Sequence, residues 1–207
     1  MWKVFRRVSL RPAPQMVLLE SRDEKSLLLQ TDGERRQVLV QLPDRDGWVV
    51  VSRDDFTAAN PALSPDGAWV AYLSTQGAPK IVVVPLEQAG RASYTSEDLR
   101  RDDQQNKTPM TDICPWSPVV WSMDSQRLAF FGCLYDPPMS RVFVADLIIN
   151  TTPPTLQAYR IDDIMAPGLE PRQISWIGSD KVLVTFPPTA DTETETARTI
   201  PVPPPDE

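Results

Sequence analysis

Short apolar runs separated by turn-forming residues recur along the whole chain. The runs are rich in Val, Leu, Ile and aromatic residues and end at Pro, Gly, Asp or Asn, which is typical of β-strands rather than helices. The strands fall into groups of four, and the last group is incomplete. The predicted strands are Met16–Leu19, Ser26–Gln30, Gln37–Gln41 and Trp48–Ser52; Ala62–Ser64, Trp69–Ser74, Lys80–Val84 and a weak one at Ala92–Thr95; Val119–Ser122, Arg127–Phe131, Arg141–Ala145 and Leu156–Ile161; and Arg172–Trp176, Lys181–Phe186 and a less regular one at Thr199–Val202.

One hairpin segment recurs in three related copies. The first, "LSPDGAWVAY" (Leu63–Tyr72), aligns with "WSMDSQRLAF" (Trp121–Phe130) and less completely with "WIGSDKVLV" (Trp176–Val184). The copies begin about 55 residues apart, which indicates a repeated structural unit. The repeat turn residues are Ser64, Asp66 and Gly67 in the first copy and Ser122 and Asp124 in the second.

The turn and its flanking strands predict how the copies assemble. Asp bonds its own backbone and Gly tolerates a positive φ, so Ser-Pro-Asp-Gly builds a tight turn. One small sheet cannot cover both of its own faces, so successive copies must stack against each other. Radial stacking of such sheets is a β-propeller. We therefore predict an all-β fold of antiparallel strands, a β-propeller of about four small blades. The alternative is a set of unrelated hairpins that share turn chemistry.

These residues resemble the WD40-like (PD40) repeat of TolB-type β-propellers, whose signature is P-x-W-S-P-D-G-x-x-[IVL]-A-[FY]. The first copy matches at Pro61, Ser64, Pro65, Asp66, Gly67, Val70, Ala71 and Tyr72, with Leu63 in place of the Trp. The second keeps Trp121, Ser122, Asp124, Leu128, Ala129 and Phe130, with Met123 and Ser125 in place of Pro and Gly. The third keeps Trp176 and Leu183. The resemblance implies the propeller fold and says little about activity. Similar blades occur in periplasmic TolB-like proteins and in prolyl-oligopeptidase-type peptidases, whose G-x-S-x-G motif does not appear here.

The strand groups define a propeller-like domain over residues 11–186, with blades near 16–52, 60–95, 117–161 and 171–186. Residues 1–10 are expected to form either a loose arm or a strand that closes the ring on the last blade, which would also hide an edge strand. Because four blades is few for a propeller, an incomplete ring completed by a partner chain is the alternative. Residues 187–207 are rich in Pro, Thr and acidic residues, so we expect a largely flexible tail, or a segment that lies across a partner.

Composition excludes several functional classes. The net charge is −7 and the basic residues are scattered, so we expect no nucleic-acid partner. No apolar run is long enough to span a bilayer, and the opening residues do not have the pattern of a signal peptide. The chain has no His, which removes His-dependent nucleophiles and His-ligated zinc. We therefore expect no catalytic residue, no metal and no cofactor.

Two cysteines, Cys114 and Cys133, are a candidate disulfide. If Met123–Gln126 form the hairpin turn, the register places the two thiols at diagonal positions near its open end. A disulfide there would indicate an oxidising compartment. The alternative is two unlinked small apolar residues.

The leading functional expectation is a non-catalytic propeller that serves as an interaction, scaffolding or accessory subunit. Its protein partners would contact the loops and, in one version, the C-terminal tail. One alternative is a ligand-binding or hydrolytic propeller that uses the turn carboxylates Asp66, Asp124 and Asp180. Another is an accessory domain of a larger cell-envelope protein. The family resemblance and the candidate disulfide favour an extracytoplasmic location.

Overall fold

The computed structural model describes residues 15–22, 25–32, 35–43, 46–52, 57–75, 77–88, 94–95, 113–134, 140–149, 155–163, 171–188 and 194–204. In these residues the regular structure is almost entirely β-strand, arranged as four separate antiparallel sheets. Each sheet is built from strands that follow one another along the chain, so each is a meander. We call the sheets blades 1 to 4 in chain order.

The strand bounds are as follows. Blade 1 consists of β1 (Gln15–Arg22), β2 (Lys25–Asp32), β3 (Arg35–Gln41) and β4 (Trp48–Val50). Blade 2 consists of β5 (Ala58–Leu63), β6 (Trp69–Ser74), β7 (Lys80–Pro85) and β8 (Tyr94–Thr95), with a 3-10 turn at Leu86–Gln88. Blade 3 consists of β9 (Ile113–Pro115), β10 (Val120–Trp121), β11 (Arg127–Leu134), β12 (Ser140–Ile148) and β13 (Thr155–Asp163). Blade 4 consists of β14 (Gln173–Ile177), β15 (Lys181–Phe186) and β16 (Thr196–Pro201). The predicted all-β fold with antiparallel sheets is confirmed.

Three apolar cores hold the blades together, and each lies between two consecutive blades. Alternate residues of a strand point to opposite faces, so the central strands of blades 2 and 3 supply one core on each side. This explains why every residue of β6 from Val70 to Ser74 is buried. Each large side chain buried in this way contributes roughly 1.5–3 kcal/mol. The core between blades 1 and 2 contains Val38, Val40, Leu63, Val70, Tyr72, Val82 and Val84. The core between blades 2 and 3 contains Ala71, Ile81, Val83, Trp121, Leu128, Phe130 and Phe143. The core between blades 3 and 4 contains Ala129, Phe131, Val142, Val144, Ile174, Val182, Val184 and Ile200.

The repeated tryptophan connects blade 3 to blade 2 and blade 4 to blade 3. The indole N–H of Trp121 in blade 3 donates a hydrogen bond to the carbonyl oxygen of Ala62 in blade 2, at 3.1 Å. The indole N–H of Trp176 in blade 4 donates in the same way to the carbonyl oxygen of Val120 in blade 3, also at 3.1 Å. Both acceptors occupy the same place in their blades, one residue before the position of the repeated Trp. The two copies therefore share a packing role as well as a sequence pattern.

Part of the expected tail forms the last strand of blade 4, which is the last blade of the described residues. Residues 187–207 were expected to be largely flexible apart from a less regular strand at Thr199–Val202. The strand begins earlier than predicted: Thr196–Pro201 form β16 and pair along the whole of β15. Only Ile200 of this strand is buried, so the strand carries little apolar pattern. Thr199 points outward from blade 4 and pairs with Leu183. The equivalent register position is occupied by Val83 in blade 2 and by Val144 in blade 3. At this position blade 4 therefore presents a polar side chain to solvent, where blades 2 and 3 have a buried valine.

Residues 1–10, expected to be an arm or a closing strand, lie outside the described residues, as does the part of the tail beyond residue 204. Within the described ranges, no helix is both long enough and apolar enough to cross a membrane.

The first prediction tests the tryptophan contact. Trp121→Phe removes the indole donor to Ala62 and part of a buried ring, so we expect the free energy of unfolding to fall by about 2 kcal/mol in urea denaturation. The matched control is Trp116→Phe, because the ring of Trp116 is about 40% exposed and stacks on Phe131, a contact that Phe can keep. We expect the control to lose less than about 0.5 kcal/mol. Equal losses would contradict the role of Trp121.

Candidate functional site

The Ser-Pro-Asp-Gly turn of blade 2 is held by a compact set of hydrogen bonds. The hydroxyl of Ser64 donates to Oδ1 of Asp66 at 2.5 Å and accepts from the backbone N–H of Trp69 at 2.9 Å. The same carboxylate oxygen accepts the N–H of Ala68 at 2.9 Å. Gly67 has a φ of 66°, which Gly adopts without strain. Oδ1 of Asp66 is therefore a structural part of its own turn.

The turn of blade 3 repeats this arrangement with a different residue at the glycine position. Ser122 donates to Oδ1 of Asp124 at 2.5 Å and accepts from the N–H of Arg127 at 3.0 Å. Ser125 has a φ of 62°, which is unfavourable for a residue with a side chain. Its hydroxyl accepts the backbone N–H of Asp66 at 2.9 Å, so the serine links the turns of two neighbouring blades. That bond gives a physical reason for serine in place of glycine.

These turns and that of blade 4 form one surface, which we call the turn face. It comprises residues 64–67, 122–125 and 178–180, together with the end of β12. Two clefts open on it between blades 2 and 3, and both are lined by Asp66, Asp124 and Ser125. The outer cleft, about 350 Å³, adds Trp69, Gln126, Arg127, Asp146, Leu147, Ile148, Ile149 and Gln157. The inner cleft, about 720 Å³, adds Ala62, Leu63, Pro65, Val119, Val120, Trp121 and Met123.

A buried cation supports the floor of the outer cleft. Nε of Arg127 lies 3.4 Å from Oδ1 of Asp146, and the arginine side chain is almost fully buried. Its Nη1 donates to the carbonyl oxygens of Pro203 at 3.1 Å and Ser179 at 3.4 Å, both in blade 4 or just after it. Tyr159 donates its hydroxyl to the same oxygen of Asp146 at 3.3 Å. Arg127 therefore joins blades 3 and 4, and its positive charge is paired with Asp146.

The structure brings together two of the three carboxylates named from the sequence. Asp66 and Asp124 line both clefts, whereas Asp180 is exposed on blade 4, with Oδ2 4.0 Å from Nζ of Lys181. Among the described residues, no group of three or more His, Cys, Asp or Glu side chains could hold a metal ion. The clefts are thus bordered by carboxylates already used in turns and by apolar side chains.

Sequence reasoning did not identify several residues that border the clefts. Gln157 lies on β13 and Ile149 at the end of β12, far from the repeat signature. Met123 and Ser125 were noted only as departures from the signature, yet one is largely exposed at the inner cleft and the other bridges two blades. For Met123 and Ser125, the departure from the repeat signature inside a turn was the feature of the sequence that could have identified them.

The two cysteines lie closer in register than expected. Four residues, Trp116 to Val119, separate the paired residues Pro115 of β9 and Val120 of β10. Their partners on β11, Gly132 and Ala129, are separated by only two residues. This irregularity shifts the register, because the Ser117 hydroxyl accepts the N–H of Phe131 at 2.7 Å in place of a backbone carbonyl. Cys114 therefore pairs directly with Cys133 instead of diagonally. Both are free thiols in the structure, and the disulfide stays a prediction.

No protein-family model matches the chain, and no curated protein matches it. An uncharacterized protein from Listeria monocytogenes EGD-e has a TM-score of 0.55 at 13% identity, covering 91% of this chain and 50% of that one. The β-propeller domain of the Trilobed protease from Pyrococcus furiosus, which has an open velcro topology, has a TM-score of 0.54 at 13% identity, covering 93% of this chain and 56% of that one. TolB from Acinetobacter baumannii has a TM-score of 0.49 at 14% identity, covering 80% of this chain and 35% of that one.

At such low identity the likeness to the Pyrococcus furiosus domain shows the fold alone. It agrees with the stacked sheets described above: the chain has an all-β, propeller-type fold. The chain spans about half the length of the Listeria and Pyrococcus structures that it matches.

The second prediction separates backbone strain from hydrogen bonding at Ser125. Ser125→Ala keeps the strained φ and removes the acceptor for Asp66 N–H, so we expect a loss of about 1 kcal/mol of unfolding free energy. Ser125→Gly also removes the acceptor but relieves a strain of about 1 kcal/mol, so we expect a stability near that of the unmodified protein. Thermal and urea unfolding of the pair measure the difference. Equal stability of the two variants would contradict this account.

Proposed function

We propose that this propeller array is a non-catalytic binding module that recognises a protein partner at its turn face. We also propose that its blades are repeats of the TolB type, on the strength of the signature residues in blade 2. The observation that carries the binding proposal is the exposure of large apolar side chains beside the two clefts. About 72% of Met123 and 65% of Ile149 is accessible to solvent.

Exposed apolar side chains lie on or next to the turn face in both blade 3 and blade 4. Met123 lies at the turn between β10 and β11, and Ile149 follows β12, so both are at the same end of blade 3. Ile177 is also exposed and precedes the corresponding turn of blade 4. Exposed apolar residues next to a concave surface are typical of protein-binding sites.

The charge of the clefts favours one kind of partner. Asp66 and Asp124 border both clefts, and Arg127, the cation in the outer cleft, is paired with Asp146. The chain as a whole carries a net charge of −7. A partner segment that combines apolar and basic residues would meet complementary charge here, which favours a fast and specific encounter.

The hydrogen bonding of the turn carboxylates supports a non-catalytic role. Oδ1 of Asp66 and Oδ1 of Asp124 each accept hydrogen bonds within their own turns, which gives these carboxylates a structural reason to be present. A carboxylate used as a general base needs a free approach to its substrate. The turn bonds occupy one oxygen of each group.

The third prediction tests the turn face directly. A photo-crosslinking amino acid at position 123, introduced in cells of the source organism, should yield a discrete covalent adduct with one protein. The matched position is Thr199, which is exposed on the outer face of blade 4 and away from the clefts. We expect little or no adduct from position 199.

The captured protein is then purified and its affinity measured by calorimetry. Met123→Asp and Ile149→Asp should each weaken binding by roughly tenfold or more, because a charge replaces an apolar contact. Thr199→Asp should leave the affinity unchanged. Equal adducts from positions 123 and 199, or an affinity insensitive to Met123→Asp, would contradict the proposal.

A second candidate function is small-ligand binding, or hydrolysis, at the carboxylates of the outer cleft. It is favoured by one observation, that Asp66 and Asp124 share a cleft with the polar side chain of Gln157. The fourth prediction distinguishes it: a ligand or metal that copurifies in native mass spectrometry should be lost in Asp124→Asn, since Asn keeps an oxygen for the turn but loses the charge. Asp180→Asn is the control and should keep the ligand. Absence of any copurifying species in the unmodified protein counts against this candidate.

A further inference from the structure

Cys114 and Cys133 face each other across two strands at the open end of blade 3. Cys114 lies on β9 and Cys133 on β11, and the two are direct register partners. The N–H of Trp116 donates to the carbonyl oxygen of Phe131 at 3.1 Å, which marks that pair as hydrogen-bonded. Because such pairs alternate along antiparallel strands, Cys114 and Cys133 again occupy a hydrogen-bonded pair. Their Cα atoms are then about 5.5 Å apart, inside the range of roughly 4.4–6.8 Å that a disulfide spans.

The two thiols are near each other and reachable from solvent. The Cys133 thiol donates a long hydrogen bond to the carbonyl oxygen of Cys114, with 3.6 Å between sulfur and oxygen. Both side chains are partly exposed, so a small disulfide in solution can approach them. Burial, and next the proximity of Cys114, raise the pKa of the Cys133 thiol. Cys133 therefore holds its proton at neutral pH more firmly than an isolated cysteine, which disfavours Cys133 as the first nucleophile.

The backbone around the pair has little room to adjust. A Cβ on Gly132 would lie 2.9 Å from Cγ2 of Ile113 and 3.1 Å from the ring of Phe143, so the strands approach closely here. Two positions further along each strand, Trp116 and Phe131 stack with ring centroids 5.3 Å apart. In a hydrogen-bonded pair the side chains lie further apart than in a non-hydrogen-bonded pair. A disulfide formed here would have to span this larger side-chain separation with little backbone adjustment, and a strained disulfide is reduced more readily.

We propose that Cys114 and Cys133 form a reversible dithiol–disulfide couple, oxidised by small-molecule disulfides such as oxidised glutathione and reduced again by the corresponding thiol. The Cys114 thiolate attacks one sulfur of the oxidant, which forms a mixed disulfide and releases one glutathione thiolate. Cys133 then loses its proton and attacks the Cys114 sulfur, which releases the second. Two protein thiols and one oxidised glutathione give one protein disulfide and two glutathione thiols. Two electrons pass from the protein sulfurs to the oxidant, and the two protons go to the departing thiolates.

The bond would act on a short strand of blade 3. Among the described strands, β9 pairs with β11 over three residues, whereas β11 and β12 are long central strands. The cysteines are 19 positions apart, so the bond closes a short loop that contains the whole blade 3 turn and β10. Oxidation would hold β9 against β11 covalently, and reduction would leave β9 on its backbone bonds and the packing of Ile113 in the core between blades 2 and 3.

The experiment uses the full chain, in which these two are the only cysteines. Reduced protein is equilibrated in buffers with increasing ratios of oxidised to reduced glutathione, the remaining thiols are alkylated, and the products are identified by peptide mass mapping. We expect both thiols to disappear together, a Cys114–Cys133 cross-linked peptide in monomeric protein, and full recovery of both thiols on adding excess reduced glutathione. In Cys133→Ser the mixed disulfide at Cys114 should accumulate, and it should form faster than the mixed disulfide at Cys133 in Cys114→Ser.

Three results would overturn the proposal. Thiols that stay free at every ratio, or give only mixed disulfides in the unmodified protein, would show that the pair cannot close. Linkage only between two copies of the chain would show that the partner sulfur is elsewhere. A Cys114–Cys133 bond that survives excess glutathione and yields only to a stronger dithiol would show a permanent structural bond.

Discussion

Each internal blade of this protein has two apolar faces and can cover neither of them alone. The central strands of blades 2 and 3 carry Val, Ala, Phe and Tyr on both sides, and every one of the three apolar cores lies between blades. Stability is therefore a property of neighbouring pairs, as in other repeat proteins. The indole N–H groups of Trp121 and Trp176 donate hydrogen bonds to the preceding blades. In both contacts the donor therefore belongs to the later blade and the acceptor to the earlier one.

The turn face follows from the same stacking. When two similar hairpins lie side by side, their turns come to one end and leave a cleft between them. Ser125 connects Asp66 to the neighbouring turn, and Arg127 connects blade 3 to the chain around blade 4. Asp66 and Asp124 at the clefts stabilise their own turns. The features of the surface that a partner could recognise are its shape, its apolar side chains and its negative charge. This is the basis on which we propose a binding role rather than a catalytic one.

Sequence patterns predicted the parts of the fold that depend on local chemistry. The strands Trp69–Ser74 and Lys181–Phe186 have the predicted bounds because alternating apolar residues lie between strong turn signals. Residues 187–207 were expected to be largely flexible apart from a less regular strand at Thr199–Val202, because the segment carries little apolar pattern. The strand lies at Thr196–Pro201, where Ile200 is the only buried residue and pairing with β15 supplies the remaining order. The register of Cys114 was misplaced because the irregularity at Ser117 depends on a side-chain hydrogen bond, which no periodicity reports. The clefts could not be predicted, since they join residues from different blades.

The most direct measurement is hydrogen exchange of the tryptophan indole N–H groups, followed by NMR on uniformly ¹⁵N-labelled protein. If later blades are fastened to earlier ones through this group, the indole protons of Trp121 and Trp176 exchange slowly, by at least roughly a hundredfold relative to the exposed Trp48 and Trp116. Exchange of Trp121 and Trp176 at the rates of Trp48 and Trp116 would contradict the stacked arrangement of the blades.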